Sequence, residues 1–366
     1  MKAVVLVGGE GSRLRPLTYT TPKPLLPIAN QPFLERQLVW LSDHGVDEVV
    51  LSMGYLPDAF HEHFRDESGH DTFRGMRLHY AVENEPLGTA GAIRFAAAGI
   101  EERFVVCNGD VLTGLDLSAM VEFHDERKAE VTIALTRVED PSAFGVVPTA
   151  ADGGVIAFVE KPAPGFAPSD WINAGTYVLE PAFLDRIPPR LNVSVERETF
   201  PRLLEHPGRL FGFRTDAYWL DIGTPEKYLE AHIDVLRGSV GRPPTPGARE
   251  LSEGIWTQGD ATIEPGATVL APTLLGPGSH VHTGARVRGS VLGAGSIVEP
   301  GAVLEVAVLH EEARVSHDST VDHSVIGRHT VVKPDVMLTD NSLVGADTTV
   351  ASGTRLSAGR FPSARE

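Results

Sequence analysis

One cysteine, Cys107, stands in 366 residues. No disulfide framework can form within the chain, and a core must hold the fold. The apolar neighbours of Cys107 suit a buried strand end better than a reactive thiol. Long hydrophobic runs are missing too. The opening MKAVVLVGG has five apolar residues between its lysine and its glycines, too few for a signal-peptide core, and no later run reaches the ~20 residues of a membrane span. The expected setting is cytoplasmic. Positive charge is scarce: 32 Lys and Arg against 49 Asp and Glu leave a net −17. That excludes nucleic acid and anionic membrane as natural partners, since most of the surface would repel both. Disorder is excluded as well, because 42% hydrophobic and 22% charged residues are ordinary for a globular protein. The length suits two domains.

Against this acidic background, GGEGSRLRPLTYTTPKP, from Gly8 to Pro24, carries Arg13, Arg15 and Lys23 against only Glu10. A basic loop in an acidic protein points to a small anion. Glycines after a strand let backbone amides approach phosphate oxygens. The spacing lacks the third glycine of a dinucleotide-binding fingerprint and the Gly-Lys-Ser/Thr of a Walker loop. Pro22 and Pro24 bracket Lys23 and restrict the backbone there.

Two sequence grammars divide the chain. Up to Arg237, short runs such as KAVVLV, DEVVLSM and RFVVCNGD alternate with amphipathic segments such as PFLERQLVWLSDHG. This is the pattern of βαβ units, a doubly wound, mostly parallel α/β sheet of Rossmann-like type, which binds ligands beyond the carboxyl ends of its strands. The Pro- and Gly-rich residues 238–252 read as a linker. From 253 to 358 the period becomes six. Aliphatic residues recur at Ile263, Val269, Leu275, Val281 and Val287. They restart at Val291, Ile297, Val303, Leu309, Val315 and Val321, and again at Val325, Val331, Met337 and Leu343. This predicts a C-terminal left-handed hexapeptide β-helix, with register shifts at the restarts, followed by a tail over 359–366. Such a rod serves assembly, so a homo-oligomer formed through it is expected. Deleting everything after Arg237 should change oligomeric mass more than chemistry.

The motifs GGEGSRLRPLT, TPKP, EPLGTAGAI, NGDVL, FGVV, VEKP, INAGTYVL and YWLDIGTPEKY, in that order, resemble the sugar-nucleotide pyrophosphorylases, a nucleotidyltransferase family, and most of all its GDP-mannose pyrophosphorylase branch. The likeness runs over essentially the whole chain. It implies Mg²⁺-dependent, in-line attack of a sugar 1-phosphate on the α-phosphorus of a nucleoside triphosphate, expelling pyrophosphate. Two anions must meet, so fixed positive charge is required.

The resemblance also assigns residues. Gly8, Gly9 and Gly11 would hold the nucleotide, Arg13 the departing phosphates and Lys23 the α-phosphate. Asp110 and Asp221 would hold Mg²⁺, which favours hard oxygen ligands. Lys161 would bind the sugar phosphate and Glu160 the sugar hydroxyls, with Gly145 and Asn173 lining that side. Gly88 is matched to the nucleotide and sugar surface. Arg13, Lys23, Asp110, Lys161 and Asp221 form the catalytic set. Relatives that use uridine or thymidine triphosphate commonly carry Gln where Glu83 stands here. A carboxylate can accept from guanine N1–H and its amine, so GTP is the expected nucleotide and mannose 1-phosphate the expected acceptor.

Taken singly, these residues have plain structural readings. Asp110 is a turn residue after Asn-Gly, Asp221 a helix cap, Asn173 a strand-end hydrogen bond, and Glu83 a solvated glutamate. Other readings of the whole chain are a pyrophosphorylase for glucose or heptose 1-phosphate, one using dTTP or UTP, and a non-catalytic regulatory homologue. Acyl transfer or a metal cluster in the rod would need placed histidines; His280, His282, His310, His317, His323 and His329 are expected to be solvated.

Overall fold

The computed structural model describes all residues except 55, 68, 207, 242 and 363–366; the end of the expected tail thus lies outside the described residues. No described helix is long and apolar enough to cross a membrane. The chain forms two compact units. One comprises residues 1–9 and 34–219, the other residues 10–33 and 220–366. Residues 10–33 and 220–237 therefore group with the rod, not with the sheet.

The first unit is built on β1 (Lys2–Leu6), β2 (Glu48–Met53), β3 (Met76–Val82), β4 (Phe104–Asn108), β5 (Val131–Arg137), β6 (Trp171–Leu179) and β7 (Leu210–Arg214). Their order is β3-β2-β1-β4-β6-β5-β7. The pairs among β3, β2, β1 and β4, and the β5–β7 pair, are parallel, while β6 runs antiparallel to both β4 and β5. The apolar runs are strands because they are buried on both faces; Val4, Val5, Val105 and Val106 are all fully buried. Helix α3 (Gly88–Ala96) adds Ala90 and Ile93 to a core that includes Phe104, Ile133, Tyr177 and Phe200. Cys107 lies in β4 and is buried, as expected, and burial pushes its thiol up to about 12.

In the second unit three sheets form the faces of a β-helix, parallel except that Ala248–Ser252, at the end of the expected linker, is a strand pairing antiparallel with Ile255–Gln258. Each coil takes 17 or 18 residues: Val291 pairs with Val308, 17 later, and Val325 with Leu343, 18 later. A 17-residue coil shortens one step from six to five, and this is what the restarts record. The inward ladder accordingly contains Leu292, Val298 and Leu304, then Ile326, Val332 and Leu338, all buried. The expected Val291, Ile297 and Val303, and Val325, Val331, Met337 and Leu343, are each one residue out of register. The slip has a cause. On the face containing Val291 and Val325 both members of each pair are buried, so the outward residue looks like a core residue too.

Segment 10–33 and the helix α4 (Pro225–Arg237) meet that same face. The tip of a two-residue hairpin, Ala29 and Asn30, both with positive φ, donates the Asn30 amide to the Leu292 carbonyl at 2.8 Å and to Gln258 Oε1 at 3.3 Å. The Ala29 N–H donates to His232 Nδ1 on α4 at 3.1 Å. Tyr228 of α4 donates its hydroxyl to the Pro27 carbonyl (2.6 Å) and lies 3.0 Å from His310 Nε2. Since the hydroxyl proton goes to Pro27, His310 must donate. His310 is thus buried, contrary to the expectation that the rod's histidines are solvated, and burial lowers its pKa to about 4.

Candidate active site

In the first unit the carboxyl ends of β1 to β4 lie side by side, as parallel strands require. The Val7 N–H donates to the Ser52 carbonyl, that of Glu83 to Met53, and that of Gly109 to Leu6, all within 2.9 Å. Gly8 and Gly9, Glu83 and Asp110 therefore share one edge of the sheet. Gly109 is forced: a Cβ there would lie 2.6 Å from the Leu6 carbonyl oxygen. This close approach, with Gln37 donating to the Asn108 carbonyl at 2.6 Å, fixes the turn carrying the half-buried Asp110. Gly9 is different, because a Cβ there would meet nothing within 4 Å and its φ is not positive. No packing within the protein requires glycine at that position; what its absent side chain leaves open is the approach to the backbone.

Glu83 is half-buried, not solvated. One oxygen accepts from Ser52 Oγ at 3.3 Å and the other from the Leu87 N–H at 3.0 Å, so it shapes the turn into α3. A carboxylate has about four acceptor sites, and two are used here. Gly88, with φ +69, would place a Cβ 2.6 Å from the Val193 carbonyl oxygen. Its glycine is demanded by chain packing.

The antiparallel part of the sheet carries Gly145, Glu160, Lys161 and Asn173; two residues on from Asn173, a Cβ on Gly175 would lie 2.6 Å from Asn108 Nδ2, beside the turn that bears Asp110. Gly145 pairs with Glu160 across two antiparallel strands, and a Cβ on it would lie 2.9 Å from Glu160 Oε2. Burial first, and the charge of Glu196 second, raise the Glu160 pKa. Lys161 has φ +48, a left-handed backbone just after the strand, and its side chain is 60% exposed with Nζ 4.0 Å from Glu160. Asn173 sits at a bulge of β6. Its Oδ1 accepts from the Gly175 N–H at 3.0 Å and its Nδ2 donates to Tyr177 at 2.8 Å, which is largely the strand-end role.

Sequence reasoning missed Thr89 and Glu196. Thr89 Oγ1 donates to Glu196 Oε2 at 2.8 Å, Ser194 Oγ does so at 2.9 Å, and Glu196 faces Glu160 closely enough to perturb it. Two carboxylates with hydroxyl neighbours suit recognition of a polyol. The one available signal was the stretch SVERET, which forms a π-helical turn over Val195–Thr199, a geometry common at functional sites.

In the second unit, three short 3₁₀ turns, Ser12–Leu14, Leu17–Tyr19 and Lys23–Leu25, precede the hairpin. Gly11, at φ +61, would place a Cβ 2.9 Å from Thr18 and 3.0 Å from Lys23, and Thr18 donates its hydroxyl to the Gly11 carbonyl at 2.9 Å. Gly11, Thr18 and Lys23 thus close one loop. Arg15 pairs with Glu10 at 2.6 Å, so those two charges offset each other and the net positive charge of the loop rests on Arg13 and Lys23. A Cβ on Gly223 would lie 2.7 Å from Arg13 Nη2 and 3.2 Å from Asp221 Oδ1. This glycine lets the guanidinium and the carboxylate flank one small gap. Asp221 ends its strand and does not cap α4; Thr224 does, accepting from the Lys227 N–H.

Residues 2–238 match the family model described as nucleotidyl transferase. The chain belongs to the nucleotidyltransferase family. Residues 264–356 of this nucleotidyltransferase match the GlmU-like C-terminal hexapeptide model. A mannose-1-phosphate guanylyltransferase of Mycobacterium tuberculosis is 42% identical over 79% of each chain. Mannose-1-phosphate guanylyltransferase 1 of Arabidopsis thaliana is 37% identical over 80% of this chain and 79% of that protein. Among solved structures, HddC from Yersinia pseudotuberculosis complexed with GMP-PN is 32% identical, with a TM-score of 0.54, over 63% of this nucleotidyltransferase and 97% of that chain.

Proposed function

We propose that this nucleotidyltransferase joins mannose 1-phosphate to GTP. An oxygen of the sugar 1-phosphate attacks the α-phosphorus, the bond to the bridging oxygen of the β-phosphate breaks, and pyrophosphate leaves, giving GDP-mannose. The observation that carries this reading is the gap at Gly223, where Arg13 and Asp221 sit side by side within the unit that also holds Lys23. A guanidinium beside a carboxylate provides a cation for phosphate oxygens and a hard oxygen for a divalent ion.

In this reading Gly8, Gly9 and Gly11 present backbone to the triphosphate. Arg13 binds the departing phosphates and Lys23 offsets charge on the α-phosphate. Asp110 and Asp221 hold Mg²⁺, whose hard-oxygen preference both satisfy. When bound, it neutralises phosphate charge. Lys161 takes the sugar phosphate, Glu160 with Gly145 and Asn173 the sugar, and Gly88 sets the start of α3. The two acceptor sites of Glu83 not used by Ser52 and Leu87 suit the guanine N1–H and amine. The names of the guanylyltransferase relatives support the same choice of nucleotide and sugar. The rod mediates self-association.

The test is pyrophosphate release across a panel of nucleoside triphosphates and sugar 1-phosphates. GTP with mannose 1-phosphate is expected to lead. Equal turnover with UTP or dTTP would remove Glu83 as the base reader, and preference for glucose or heptose 1-phosphate would reassign the sugar.

A further inference from the structure

A solenoid permits comparison of equivalent positions, and one pair is informative. Glu264 and Glu299 each end a strand of the same face, just before a Pro-Gly turn. Each uses one oxygen to accept a backbone N–H from the next coil, Glu264 from Thr283 at 2.8 Å and Glu299 from His317 at 3.0 Å. Each presents its other oxygen to the outward residue two positions back in that coil, since Thr262 pairs with His280 and Ile297 with Arg314. For Glu299 that neighbour is Arg314, a permanent cation in ion-pair contact. For Glu264 it is His280, joined by His282 from the same strand face. The fixed cation of one coil is replaced in another by two imidazoles.

Their geometry is specific. Glu264 Oε1 lies 2.9 Å from His280 Nε2 and 3.0 Å from His282 Nδ1. The two rings stack with centroids 4.0 Å apart and planes 8° from parallel. All three ligand atoms fall within 4.8 Å of one another, and the residues are half-buried. An imidazole binds a metal through the lone pair in its ring plane, so a shared ion requires one of the two stacked rings to turn out of the stack. The second oxygen, held by Thr283, already orients the carboxylate, as outer-shell partners do in metal centres.

We propose that Glu264, His280 and His282 form a three-ligand site on the rod for a divalent transition ion of the Ni²⁺ or Co²⁺ type, with water completing the shell. Such ions favour mixed imidazole and carboxylate donors, whereas Mg²⁺ prefers oxygen alone. The site is separate from the residues assigned to nucleotidyl transfer.

The experiment is calorimetric titration of the tag-free full-length protein with Ni²⁺ in saturating Mg²⁺, repeated on His282→Ala and Glu264→Gln. One Ni²⁺ per chain is expected, with affinity at least ~10-fold weaker in either variant. A Co²⁺ d–d spectrum shifted from that of the aquo ion, measured on the unaltered protein, makes the result independent of how the variants fold. No Ni²⁺ uptake, uptake unchanged by His282→Ala, or a Co²⁺ spectrum identical to that of the aquo ion would each overturn the proposal.

Discussion

The side-chain amide of Asn30 donates to the carbonyl of Leu292 at 2.8 Å, so a residue seven positions after Lys23 is tied to the core ladder of the rod. Pro16 lies against Gly345, where a Cβ would come within 3.1 Å of it. The loop bearing Arg13 and Lys23 thus rests along several coils of one rod face.

Removal of the residues after 237 takes away that face. Contrary to the expectation that such a deletion alters mass more than chemistry, it should lower turnover sharply. The milder Asn30→Ala, which removes hydrogen bonds worth ~1 kcal/mol each, should reduce kcat/KM several-fold with little change in melting temperature. A truncated chain with full kcat would show that the rod does not support the loop.

Gly11 and Gly9 should separate packing from ligand contact. Gly11→Ala puts a Cβ against Thr18 and Lys23 at positive φ and should cost ~1–2 kcal/mol of stability as well as activity. Gly9→Ala meets nothing in the protein; its melting temperature should hold while KM for the triphosphate rises. Thermal melts alongside steady-state kinetics read both.

Much of this was legible in the sequence, for physical reasons. Strands buried on both faces read as unbroken Val and Leu runs, and the six-residue beat survives because every coil must fill the same triangle. The ladder register was not legible where Val291-Leu292 and Val325-Ile326 are buried on both sides of one face. At Gly88 the packing reason for glycine was not legible, because sequence spacing cannot show the Val193 carbonyl that excludes a side chain. Glu196 escaped because its relation to Glu160 and Thr89 is made entirely by folding.

His310 supplies a pH signature. Its folded-state pKa is about 4, below the ordinary ~6.5 of the unfolded chain. The unfolded chain therefore binds the proton first. The stability tied to neutral His310 is complete above pH ~6.5 and is lost as pH falls towards 4, by roughly 3 kcal/mol in all. In His310→Asn the fall in melting temperature across this window should be shallower than in the unaltered protein; parallel curves would contradict the assignment.

Asp110→Asn keeps the shape of the turn and removes one hard charge. Activity should drop by ~10²-fold or more without unfolding, judged by circular dichroism and by loss of Mg²⁺-dependent turnover. Retained turnover would take Asp110 out of the metal set.

The central claim is direct attack by the sugar phosphate on the α-phosphorus, and its stereochemistry tests it most directly. With GTP made chiral by sulfur at the α-position, a single in-line displacement predicts a nucleotide sugar with inverted configuration at phosphorus. Retention, which requires two displacements through a nucleotidylated enzyme, would contradict it.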